Sequence, residues 1–106
     1  MVSNRATIIL LAMLAVPGIA EAASAKRGAT LAQTRCAACH AIGRTGASPT
    51  ITAPTFRRIA SQYPVEQLQE ALAEGIVTGH GPMPEFTFTP TEIDDFLAYL
   101  ATLKRR

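Results

Sequence analysis

The chain predicts an all-α domain of three to four helices joined by long loops, and three observations carry that expectation. Apolar residues recur at helical spacing in three stretches, the segments between them are rich in Gly, Pro and Thr, and no stretch alternates apolar with polar residues as a half-buried strand would. At 106 residues there is room for one small domain. The hydrophobic fraction of 48% overstates the core, because the apolar amino-terminal segment inflates it; aromatics are 6% and Trp is absent.

The final helix is the most clearly written. Thr89-Pro90-Thr91-Glu92 offers an N-cap, a proline at the first helical position and a capping-box Glu. Ile93, Phe96, Leu97, Leu100 and Leu103 follow at helical spacing. Glu92, Asp94 and Asp95 in the first turn and Lys104 to Arg106 at the end suit the helix dipole, which is reason enough for the two aspartates. A second helix runs from Pro64 to Glu74, with Val65, Leu68 and Leu72 on one face and Gly75 as its stop. The first helix, Lys26 to Arg35, has Leu31 and Ala32 as its main apolar contacts, and Pro54 to Ala60 adds a short helical turn. The loops, Gly43 to Pro54 and Gly75 to Pro90, are long for so small a domain, and loops of that length usually serve function.

Residues 1–23 read as a signal peptide, leaving 24–106 as the mature domain. Arg5 and the amino terminus form the positive end, Ala6 to Val16 is an uncharged apolar run, and Ala20, Ala22, Ala23 and Ala25 offer cleavage points between residues 20 and 25. A membrane anchor would need about 20 consecutive apolar residues. Pro17, Gly18 and Glu21 cut this run short. Export to a bacterial periplasm is therefore expected, with no membrane insertion of the mature chain.

The net charge of +2 is mild, and the basic residues lack the aromatic platform of a nucleic-acid surface. Paired catalytic carboxylates, nucleophile triads and phosphate loops are not apparent, so an enzyme is not expected. The informative motif is Cys36-Ala37-Ala38-Cys39-His40. Two thiols on one turn can each add to a vinyl group of the same porphyrin, and the next residue then lies beneath the metal, where an imidazole can bind iron. The competing readings fit less well. A redox dithiol belongs beside a βαβ pattern, a zinc site draws on a second ligand pair downstream, and a Cys36–Cys39 disulfide leaves His40 unexplained. One covalently attached haem c is the cofactor this motif implies, with His40 as an axial ligand.

For the other axial position, Met1 and Met13 leave with the leader, so Met83 is the only methionine of the mature chain. It lies in Gly79-His80-Gly81-Pro82-Met83-Pro84, a stiff loop that can present a thioether, with His80 as the rival ligand. His paired with Met is the common arrangement in electron-carrying haem proteins.

With these residues in view, the mature chain resembles the class I bacterial cytochromes c along its whole length. Gly28, eight residues before Cys36, matches the family's glycine where the first helix crosses the last. Phe96 to Leu100 match the partner segment, with Tyr99 at its aromatic position. Pro54 stands where the family has a proline whose carbonyl receives the proton of the haem histidine's Nδ1, and Pro82-Met83-Pro84 resembles the Met-Pro segment. The resemblance implies a periplasmic electron carrier that meets redox partner proteins in transient contacts, with the iron, held between His40 and Met83, cycling between Fe(II) and Fe(III); a monomer is expected. A tightly held electron-transfer subunit of a periplasmic dehydrogenase would share the same site, while a haem enzyme or gas sensor would need an open iron position. Two departures stand out. The Trp that some members place against a haem propionate is missing, leaving Arg57, Arg58 or Tyr63 as substitutes, and Ala32 replaces a commonly larger residue, which thins the first helix's interface.

Overall fold

The computed structural model describes residues 22–75, 83–84 and 86–104, and among these it contains four helices and no strand. These are α1 (Ala25–Arg35), α2 (Phe56–Gln62), α3 (Val65–Glu74) and α4 (Pro90–Leu103). Three begin at a hydroxyl cap. Ser24 Oγ accepts from the Arg27 amide at 3.1 Å, and Thr55 Oγ1 accepts from the Arg58 amide at 3.3 Å. Thr89 and Glu92 form the reciprocal box at 3.2 and 3.0 Å. The short turn expected over Pro54 to Ala60 is a true helix displaced by two residues, because Pro54 and Thr55 are spent on the extended lead-in and the cap. Pro64 separates α2 from α3 by forcing Tyr63 to extended backbone (φ −111°, ψ 130°). Gly75, at φ 94°, ends α3 in a conformation that L side chains rarely adopt.

The core is Ala32, Phe56, Leu72, Phe88, Ile93, Phe96, Leu100 and Leu103, drawn from α1, α2, α3, α4 and the segment before α4. Its centre is an aromatic run. Phe56 meets Phe96 edge-on with ring centroids 5.5 Å apart, and Phe96 stacks on Phe88 at 6.3 Å. Phe88 in turn meets Phe86 at 6.0 Å.

The crossing of α1 over α4 is tight. A methyl group on Gly28 would overlap the Asp95 carbonyl oxygen, lying 2.6 Å from that carbonyl's carbon and 2.8 Å from Tyr99 Cβ, so only glycine fits. Ala32 is fully buried in the same contact. The expectation of a thin interface is thus corrected: small residues at positions 28 and 32 let the two backbones approach, and this is the most extensive helix pair among the described residues.

Asp95 also departs from its expected role. It is 5% exposed and belongs to the crossing, not to the helix dipole. Its carboxylate accepts from the Ser24 amide at 2.8 Å and from Arg27 Nε at 2.9 Å, which holds its carboxyl below the usual aspartate range, chiefly through Arg27. Arg35 adds a second tie, reaching Glu92 at 3.2 Å while its guanidinium lies 5.3 Å from the centre of the Phe88 ring.

Candidate haem site

Cys36 caps the C-terminus of α1, donating its amide to the Ala32 carbonyl at 2.9 Å. The next turn closes on the same residue, with the Cys39 and His40 amides donating to the Cys36 carbonyl at 3.2 and 3.0 Å. One turn therefore presents both sulfurs and the imidazole. The two thiols are not joined to each other; Cys36 is half-buried and Cys39 is exposed. Burial pushes the Cys36 thiol up to about 11, the reverse of the depressed value that makes a redox-exchange cysteine nucleophilic.

His40 is 9% exposed. Its Nδ1 lies 2.6 Å from the Pro54 carbonyl oxygen. A carbonyl can only accept, so Nδ1 carries the proton and the lone pair is left on Nε2, free to bind a metal. The same bond fixes the ring's orientation and its tautomer. Phe56, two residues past Pro54, packs its ring against the imidazole at 5.5 Å between centroids.

The loop from Gly43 to Pro54 is folded back onto the motif, which explains why its length is tolerated. The Thr50 amide donates to the Cys39 carbonyl at 3.1 Å, the Ala41 amide to Ser48 Oγ at 3.0 Å and the Phe56 amide to the Ala41 carbonyl at 2.9 Å. From α4, Tyr99 Oη donates to the Ile42 carbonyl at 2.6 Å. Cys36, Cys39, His40 and Pro54 are thus brought together as one unit. Met83 is half-buried and lies three residues before Phe86 in the sequence. His80 lies outside the described residues.

The donor set fits haem c: two unjoined thiols on one turn, then a buried imidazole with Nε2 unengaged. Among the described residues no group of three His, Cys, Asp or Glu side chains is placed to hold a metal ion. Phe56 against the imidazole and Tyr99 on Ile42 were not singled out as site-building from the sequence. The position of Phe56 just beyond Pro54 was the available sign for the first; the second joins residues 57 apart and left none.

The cytochrome c family model matches residues 25–104. The chain is 32% identical over 100 residues to cytochrome c-552 of Bradyrhizobium diazoefficiens, covering 94% of each protein. It is 33% identical over 102 residues to cytochrome c6 of a Picosynechococcus species, covering 91% of this chain and 87% of that one. With the attachment turn, the oriented histidine and the Gly28 crossing all in place, this chain belongs to the cytochrome c family and carries covalently attached haem c.

Proposed function

We propose that in this small electron-carrying cytochrome c, His40 Nε2 and Met83 Sδ hold the iron from its two sides, with Cys36 and Cys39 forming the thioether bonds. Haem c, when bound, supplies a one-electron Fe(II)/Fe(III) couple. The chain makes and breaks no substrate bond; its residues orient the group, bury it and tune its potential. The observation that carries the reading is the 2.6 Å bond from His40 Nδ1 to Pro54, which leaves Nε2 as the donor. Met83 is supported by elimination, as the sole methionine after residue 13, and by its half-burial. A neutral thioether favours the ferrous state and so raises the potential.

The chain meets redox partner proteins, and such contacts are typically small and short-lived. We place the mature protein in the periplasm as a monomer that has lost its leader. No helix among the described residues is long and apolar enough to cross a membrane. Ser24 caps α1 and donates to Asp95, and Arg27 donates to the Ala22 carbonyl at 2.9 Å. These bonds favour cleavage that keeps Ser24, and so speak against cleavage after Ala25.

Intact mass and acid-acetone extraction test the attachment: the cleaved chain should carry the mass of one haem and keep it through extraction. For the axial pair, the ferric protein should show the weak far-red absorption of a thioether on iron. Met83→Ala should lose that band, lower the potential and admit carbon monoxide to the reduced protein, while His80→Ala should leave all three properties unchanged. The opposite pattern would reassign the ligand, and rapid carbon monoxide binding by the unsubstituted protein would point to an open-site haem protein.

A further inference from the structure

The two cysteines of the attachment turn stand in different surroundings. Cys36 is half-buried and packs against the hydrophobic core, one position past the end of α1. Its backbone is fastened there: the carbonyl of Ala32, a fully buried residue of the α1–α4 crossing, accepts from the Cys36 amide at 2.9 Å and from the Ala37 amide at 3.0 Å. Cys39 is exposed. The bonds that hold it run through its backbone, its amide donating to the Cys36 carbonyl at 3.2 Å and its carbonyl accepting from the Thr50 amide at 3.1 Å. His40 follows directly, its ring set by Pro54. The turn therefore offers one open cysteine beside the axial histidine and one that is partly walled in by the core.

Thioether formation is an addition. The thiol S–H bond breaks, the sulfur bonds to one carbon of a vinyl group and the hydrogen goes to the other, so the C=C double bond becomes single. No oxidant, reductant or leaving group takes part when both cysteines enter as thiols, as they stand in the structure. The first addition joins two separate molecules and needs a sulfur that a vinyl carbon can reach from outside. Cys39 meets that need, whereas at Cys36 the core side chains close part of the approach. The second addition is intramolecular. A vinyl group already tethered through Cys39 and His40 meets Cys36 at an effective concentration that, when well aligned, is on the order of 10⁵ M or more, which offsets the hindrance at the second sulfur.

We propose that the two thioethers form in a fixed order, Cys39 first and Cys36 second. This rests on the haem site described above. The order gives each cysteine its own task. Cys39 captures the group from solvent, and Cys36 closes the attachment from the core side and couples it to the end of α1. It also makes the two single-cysteine chains unequal. Cys36→Ala keeps the open thiol and loses only the closing step, whereas Cys39→Ala has to begin at the hindered one.

The test catches attachment part-way, in full-length protein recovered from cells at short times after induction. The samples are denatured, their free thiols are blocked with iodoacetamide, and tandem mass spectra of the tryptic peptide 36–44 locate the haem. Singly attached chains should carry haem on Cys39 and the blocking group on Cys36. Haem on Cys36 with Cys39 blocked, or an even mixture of the two, would overturn the order. Where no singly attached chain accumulates, the recovery of the two variants decides. Cys36→Ala should give severalfold more covalent holoprotein than Cys39→Ala, even though it removes a side chain that packs on the core. Equal recovery, none from either included, or the reverse ratio would overturn the proposal. Failure of the haem reading is separately visible, as an unsubstituted protein whose mass lacks the haem.

Discussion

On the His40 side of the site, each segment is tied to another. Thr50 holds Cys39, Ser48 holds Ala41, Ala41 holds Phe56, Tyr99 reaches down from α4 to Ile42, and Pro54 fixes the imidazole itself. On the Met83 side, the described residues lean on the helices through the rings of Phe86 and Phe88 and through one backbone bond, from the Phe88 amide to the Leu72 carbonyl at 3.4 Å. The first donor is oriented by the fold, so little ordering is left for the iron to impose. In the axial pair proposed above, we take the second, Met83, to be positioned largely by the bond it makes. An electron carrier gains from the first arrangement, since a ligand that does not move when the iron changes charge adds little to the reorganisation of each transfer.

Gly28→Ala should have the largest effect, because it strikes the crossing on which the His40 side is built. The added methyl meets backbone at Asp95, which cannot swing away as a flexible side chain would. The cost should be about 3 kcal/mol, read as a lower denaturation midpoint together with poor recovery of holoprotein. An unchanged midpoint would mean that the helices do not approach this closely.

Tyr99→Phe sharpens the comparison, since it removes one tie and little volume. The loss of the 2.6 Å bond to Ile42 should cost about 1 kcal/mol by denaturant titration. The far-red band should stay, because this tie serves His40 and not Met83. Loss of the band in this variant would show that the two sides are coupled.

The smallest effect concerns acid. The Asp95 carboxyl is lowered from 3.8 by Arg27 and then by the Ser24 amide. A depressed carboxyl stabilises the fold above its unfolded value, and that contribution is lost as pH falls through the folded value. The melting-temperature gap between the unsubstituted protein and Asp95→Asn should therefore be constant near neutrality and shrink below about pH 4. A gap that holds its size down to pH 2 would assign Asp95 a role independent of its charge.

What could be read from the sequence was what local chemistry writes. Thr89-Pro90-Thr91-Glu92 announces α4 because a capping box spans four residues, and the Cys36–His40 turn announces haem because its chemistry spans five. Asp95 was misread because its partner Ser24 lies 71 residues away, and near a helix start an aspartate has a sufficient local explanation. Arg57 could not be separated from Arg58 for a similar reason: which of two adjacent arginines reaches Gly46 depends on where the 43–54 loop folds back. Pro54 and Gly28 were legible only through resemblance, since a loop proline and a glycine near a helix start are unremarkable until the chain that packs on them is known.

The claim that the fold presets one axial donor while the iron secures the other is tested most directly by a guanidinium titration of the ferric protein. The far-red thioether band and the far-ultraviolet helical signal should be followed in the same samples. The band should vanish at a lower denaturant concentration than the helices do, with His40 still bound and α1 and α4 still crossed. Coincident loss of the two signals, or loss of helicity first, would show that Met83 is held as firmly as His40 and would contradict the account.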